Sequence, residues 1–277
     1  MRVVIVCGNN SNQKALAYKV SSNFNVVGIV VESKKQKNKY FTFKDKFIRI
    51  WERFKYFKIH NAWKNLMNHY QSIYPSFNNK NIKFVENIND KSVVPFIKHL
   101  EPDTIIVSGT RMIKAPFFEI KPKKGVLNLH TGISPYIKGG PNCTNWCISE
   151  NKFHFIGNTV MWIDEGIDTG NIITTEQTPL RGNESLFQIH LKVMDHAHDL
   201  YLRSIEVVRN NFENCPSVCQ KSIGKGKIYY TNMWRSSQKK LLLKNFKNFN
   251  DSMNSLKYIE RSSKLTLVKL PSNKNSK

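Results

Sequence analysis

RVVIVCGNNSNQKALAYKVSSNFNVVGIVVE, residues 2–32, decides the fold. After Arg2, residues 3–7 are apolar without alternation, and the run ends in Gly8. A strand buried on both faces reads this way. NNSNQKALAYKVSS then reads as a polar loop entering a helix, with Asn or Ser available as N-cap. NVVGIVVE, residues 25–32, is a second apolar strand. Strand, helix and strand in this order imply a parallel, right-handed crossover unit.

Outward from this unit the pattern recurs. IKFVE (82–86), DTIIVSG (103–109) and GVLNLH (125–130) read as further strands, with a helix at about 90–100. IGNTVMWID and NIITTEQTPL read as two strands joined by the turn formers EGIDTG. A long helix is expected over about 184–209, capped by Asn183 or Gly182 and lined by Leu186, Ile189, Leu191, Val193 and Met194. DHAHD (195–199) within it reads as a solvated helix face, because histidines at i and i+2 diverge. Beyond about residue 210, GKIYYTNMW suggests a strand and SQKKLLLKNFKNF a basic amphipathic helix. The expected architecture is an α/β, Rossmann-like, mostly parallel sheet with helices on both faces. The expected division is a catalytic domain over 1–210 and a basic C-terminal appendage over 211–277, disordered at its end.

One segment interrupts the alternation. Residues 34–74 are dense in Lys, Arg and large aromatics. Phe43, Phe47, Ile50, Trp51 and Phe54 fall at helical spacing, so the segment reads as one or two inserted amphipathic helices with this stripe turned into the core.

Composition bounds the function. Lys and Arg number 43 against 20 acidic residues, a net charge of +23. That surplus points to an anionic partner (a nucleotide, a polyglutamylated cofactor, nucleic acid or an anionic membrane surface), or to a surface simply coated in lysine. No leader-like start and no apolar run of membrane-span length is evident. The five cysteines are few and odd in number, against a disulfide framework. The expectation is a reduced, cytoplasmic protein.

Ligands of parallel sheets collect at the carboxyl ends of the strands. Gly8, Gly109 and His130 lie at such ends. Asn128 and His130 are i and i+2 on a strand, so their side chains leave the same face. Asp168 lies in the following hairpin loop. An amide donor, an imidazole and a carboxylate suit acyl transfer to a substrate that brings its own nucleophile. On spacing alone a structural role for the Asn-x-His pair stays open.

NLHTGISPYIKGG (128–140), followed by MWIDEGIDTGNII (161–173), resembles the formyltransferase family that uses 10-formyltetrahydrofolate. The resemblance covers about residues 2–180. It implies that Asn128, His130 and Asp168 are catalytic and that no metal is required. SGTRMIKAPFF is similar to the family's pterin-holding segment, which implicates Arg111, Met112 and Ile113. IDEGI implies the opposite folate wall: Ile163, Asp164, Glu165 and Gly166. CGNNSNQKAL resembles the phosphate-binding loop of the family's glycinamide ribonucleotide enzymes, which implicates Gly8, Asn9, Asn10, Ser11 and Asn12. Asn10 departs from it, standing where those enzymes have Gly. Thr131, Gly132 and Ser134 are implied acceptor contacts in the turn that leaves the strand.

The resemblance implies formyl transfer to a primary amine, and the turn after His130 is most similar to members acting on nucleotide-linked amino sugars. Glycinamide ribonucleotide and methionyl-tRNA are the alternative acceptors. A homodimer is compatible with the family. A non-catalytic homologue that binds nucleic acid or another anion through its basic segments is the competing reading.

Overall fold

A computed structural model describes residues 1–33, 43–140, 142–211 and 215–270. The lysine-rich start of the inserted segment, 34–42, and the end expected to be disordered, 271–277, lie outside the described residues.

The chain runs β1 (Arg2–Gly8), α1 (Ser11–Asn23), β2 (Asn25–Glu32), α2 (Phe43–Lys55), α3 (Phe57–Ile73), β3 (Ile82–Val85), α4 (Val93–His99), β4 (Thr104–Ser108), α5 (Ala115–Phe118) and β5 (Val126–His130). It continues through β6 (Ile137–Gly139), α6 (Cys143–Ser149), β7 (Gly157–Trp162), β8 (Ile172–Gln177), α7 (Leu186–Asn210), α8 (Gln220–Ile223), β9 (Lys227–Tyr229), α9 (Ser236–Lys247), α10 (Phe249–Met253) and α11 (Leu256–Ser263). The main sheet has the order β3-β2-β1-β4-β5-β7-β8. β1 to β5 within it pair in parallel, and β7 and β8 add an antiparallel edge.

The apolar run of β1 explains the layering. Val3, Ile5 and Cys7 face one side, where they pack with Leu16 and Val20 of α1 and with Tyr201 and Ile205 of α7. Val4 and Val6 face the other, among Val93 and Ile97 of α4 and Phe117 of α5. A strand covered on both faces has no polar side to show, which is why its sequence does not alternate. From β1 the chain winds outward to β2 and β3, then returns across the sheet to β4. This reversal sets the ends of β1 and β4 side by side, at the topological switch point.

The residues after 215 share a core with the sheet domain. Tyr229 of β9, Leu242 of α9 and Phe249 of α10 pack with Trp146 and Ile148 of α6. β6 forms inside the loop that follows His130, where the sequence shows only turn formers, and pairs in parallel with β9. Ninety residues separate Ile137 from Lys227, so no local signal announces that strand.

Three expectations are corrected. The long helix is capped by Ser185, in a reciprocal capping box with Gln188, and by neither Asn183 nor Gly182. Glu184 instead accepts the N–H groups of Arg181 and Gly182. His198 of DHAHD is wholly buried, not solvated, and burial pulls it down from 6.5 to about 3. The aromatic stripe of α2 faces water: Phe47, Ile50, Trp51 and Phe54 are exposed by half or more. α3 is the inserted helix that packs, placing Leu66 and Tyr70 against Ala15 of α1 and Met194 of α7.

Candidate active site

β5 delivers Asn128 and His130 to the carboxyl end of the sheet, and the β7–β8 hairpin brings Asp168 to meet them. Asn128 Nδ2 donates to Asp168 Oδ1 at 3.2 Å. His130 Nδ1 lies 3.2 Å from Asp168 Oδ2. The three residues singled out from the sequence therefore converge on one carboxylate.

Both imidazole nitrogens face acceptors. Nδ1 faces Asp168, and Nε2 lies 3.0 Å from the carbonyl of Ile137. A neutral imidazole has one N–H and leaves one of these acceptors without a donor; the imidazolium serves both. Burial alone pulls His130 down, but the Asp168 charge, the Cys143 sulfur and the Ile137 carbonyl outweigh it and raise the group to about 10. Cys143 Sγ lies 3.7 Å from His130 Nε2, and burial holds it as a thiol despite that cation.

Asp168 stands at φ 50°, in the left-handed region that ordinary side chains avoid. Such a residue costs on the order of 1–2 kcal/mol and persists where its surroundings dictate it. Those surroundings are identifiable. Gly139 N–H donates to Asp168 Oδ2 at 2.8 Å. The Gln220 side-chain amide donates to the carbonyls of Asp168 and Gly170, both at 2.8 Å. Gly139 has φ 83°, and a Cβ there would meet the Tyr229 carbonyl at 2.2 Å. Glycine is what lets β6 pass β9 and still reach the carboxylate. Gly139 stands within a quoted motif but received no role. Gln220 lies 52 residues from Asp168 with no motif around it.

Of the segments assigned to folate, 163–166 lies in the loop that carries Asp168, and 111–113 follows β4. Ile113 belongs to the apolar cluster of Val107 and Phe117, and Ile163 packs against the same cluster. Arg111 N–H donates to Glu32 Oε2, and Glu32 Oε1 accepts the Ile88 N–H. Glu32 is buried at the end of β2 and pins the 111–113 segment; the sequence reading passed over it. Met112 is exposed and Ile113 buried. Across from them, Asp164 organises its own loop by accepting from Gly166 N–H and Thr169 Oγ1, while Asp164, Glu165 and Gly166 are exposed.

The acceptor set divides. Gly8 closes β1 against the backbone of Gly109, and Asn9 and Asn10 are exposed beyond it. Asn10 precedes α1 without a side-chain capping bond, which leaves the first amides of the helix to other partners. Ser11 Oγ bonds Gln71 of α3. Asn12 is buried, its side-chain amide donating to Met194 Sδ in the α1–α7 packing. Ser134 is also wholly buried, its N–H donating to Thr159 Oγ1. Gly132 offers its carbonyl to the same hydroxyl, and Thr131 is half-buried at the turn. Asn12 Oδ1 and Ser134 Oγ, both buried, have no hydrogen-bond partner among the described residues. Among the described residues, no group of three or more His, Cys, Asp or Glu is placed to hold a metal.

Comparison with known proteins agrees with this architecture. The family described as formyl transferase matches over residues 1–205. A methionyl-tRNA formyltransferase of Clostridium tetani is 32% identical over 117 residues, 42% of this chain and 37% of the relative. The match thus spans well under half of that relative's length. Among solved structures, a likely sugar N-formyltransferase of Mycobacterium tuberculosis superposes with a TM-score of 0.53 at 13% identity, over 88% of this chain and 87% of that one. The N-formyltransferase of Helicobacter canadensis, solved with folinic acid and dTDP-3-aminofucose, gives 0.53 at 18% over 89% and 81%. The phosphoribosylglycinamide formyltransferase of Bacillus halodurans gives 0.52 at 17% over 77% and 98%. At these identities the structural likeness speaks for the fold.

Proposed function

The chain belongs to the formyl transferase family, and from that premise we propose that it moves a formyl group from 10-formyltetrahydrofolate to the amine of a nucleotide-linked amino sugar. One observation carries the reaction: Asn128, His130 and Asp168 meet at a strand end, with the imidazole held as its cation.

The chemistry follows from that charge. A C–N bond forms between the acceptor amine and the formyl carbon, the bond from that carbon to the folate nitrogen breaks, and the amine proton passes to the leaving nitrogen. Asn128 Nδ2 and the His130 imidazolium stabilise the negative charge that builds on the formyl oxygen. His130 Nε2 now rests on the Ile137 carbonyl. The formyl oxygen competes with that carbonyl for the same N–H. Asp168 sustains the imidazolium throughout and relays the amine proton through water. Residues 111–113 and 163–166 hold the folate through backbone groups and the exposed Met112.

Two observations support the sugar acceptor. The superpositions on the M. tuberculosis and H. canadensis proteins cover 88% and 89% of this chain, against 77% for the B. halodurans glycinamide ribonucleotide enzyme. Asn10 also replaces the glycine expected of a close phosphate loop. A second reading, methionyl-tRNA as acceptor, rests on the C. tetani relative.

The test follows consumption of 10-formyltetrahydrofolate with nucleotide-linked 3- and 4-amino sugars, glycinamide ribonucleotide and methionyl-tRNA, alongside Asn128→Ala and His130→Ala. Turnover with an amino sugar, lost in both variants, supports the proposal. Turnover with another acceptor moves the substrate. Folate binding without turnover on any acceptor favours a non-catalytic homologue.

A further inference from the structure

Helix α2 is mounted the wrong way round for a soluble protein. Surface helices turn their apolar stripe to the core and their charges to water. Here the polar side is the one attached. Glu52 accepts from Ser236 Oγ and pairs with Lys239 Nζ at the start of α9. Immediately after the helix, the Tyr56 hydroxyl donates to the Ser236 carbonyl. These bonds set the rotation of α2 and leave the opposite face outward. On it Phe47 is 70% exposed, Ile50 58%, Trp51 54% and Phe54 78%. Their spacing makes one continuous ridge along the helix.

The rim of the ridge is cationic. Arg53, Lys55 and Lys58 are exposed, and Lys55 Nζ sits 4.4 Å over the Trp51 ring. Over residues 43–58 the sequence holds six Lys or Arg against Asp45 and Glu52. A large apolar patch rimmed by charge marks a contact surface.

Charge and size select the occupant. A second copy of the chain would bring the same basic rim, on a molecule of net charge +23. A 13-residue helix is about 20 Å long, a narrow ridge where a standard protein interface buries roughly 800 Å² per partner over a broad face. An isolated ridge of Trp, Phe and Ile between lysines and arginines has the make-up of a helix lying in a bilayer interface: rings enter the acyl boundary and cations meet anionic headgroups. We propose that α2 is a membrane-surface anchor, docking this protein on anionic phospholipid without crossing the bilayer. No described helix is long and apolar enough to cross. The proposal is independent of formyl transfer, and its test needs no turnover.

The experiment sediments the full chain with vesicles of phosphatidylcholine alone and of phosphatidylcholine with phosphatidylglycerol, at low and high salt. The wild type should pellet with the anionic vesicles only, and less at high salt. Phe54→Glu with Trp51→Glu should weaken binding by about tenfold or more, with an unchanged circular dichroism spectrum. Phe54→Ser alone, a milder change at the most exposed ring, guards against a variant that fails to fold and should give a smaller loss in the same direction. The proposal is overturned by absence of binding to anionic vesicles, or by variants that bind as well as the wild type. It falls equally if the wild type is a dimer that Phe54→Ser splits, or if the substitutions abolish retention of transfer RNA while vesicle binding stays.

Discussion

The end of β5 and the outer face of α2 were both read from periodicity, and they came out differently. At β5, spacing of two placed Asn128 and His130 on one face, and both meet Asp168. At α2, helical spacing placed Phe47, Ile50, Trp51 and Phe54 on one face, and they do share one. That face meets water, whereas the neighbouring α3 buries Leu66 and Tyr70. Periodicity reports which side chains point together. What they point at depends on the element that arrives from elsewhere. For β5 it is the β7–β8 hairpin, whose Asp168 follows Asn128 by 40 residues. For α2 it is α9, some 180 residues away, which takes the polar edge.

The comparison can be broken first at the strand. Asp168→Asn should lower kcat by roughly 10²–10⁴, because the imidazolium loses its counter-charge. The pH dependence checks the cause. His130 is raised from 6.5 to about 10, so the stability it contributes is fully present below about 6.5 and lost as pH rises through about 10. The wild-type activity should share that alkaline limb. In Asp168→Asn burial loses its largest opponent, so the limb should move to lower pH. A variant with the wild-type limb would remove Asp168 from that role.

On the helical side, Leu66→Ala removes a fully buried side chain of α3 and should destabilise by about 2–5 kcal/mol. Gln220→Leu leaves the carbonyls of Asp168 and Gly170 without their donor. It should cost about 1–3 kcal/mol and lower kcat more than it raises KM, since it loosens the carboxylate rather than a binding wall. A purely structural Gln220 would leave the kinetics of the folded fraction untouched. Phe54→Ser on α2 should move stability by less than about 0.5 kcal/mol, seen as an unchanged denaturation midpoint. A loss near that of Leu66→Ala would mean that the ridge is packed, and the contrast between the two helices would collapse.

The parts of the molecule written locally were legible in advance. The near-continuous apolar runs of β1, β2 and β4 require cover on both faces, and that alone calls for a doubly wound sheet. The Asn-x-His spacing put two side chains on one face of a strand, and the family resemblance, not spacing, joined Asp168 to them across 40 residues. Contacts that close over long stretches left no such mark. Only the folded chain brings Gln220 under Asp168, passes β6 beside β9 at Gly139, buries the side chains of Asn12 and Ser134, and turns α2 outward on Glu52. Hydrophobic periodicity is a property of one element. The choice of face to cover belongs to the pair of elements that meet, and no local pattern encodes the partner.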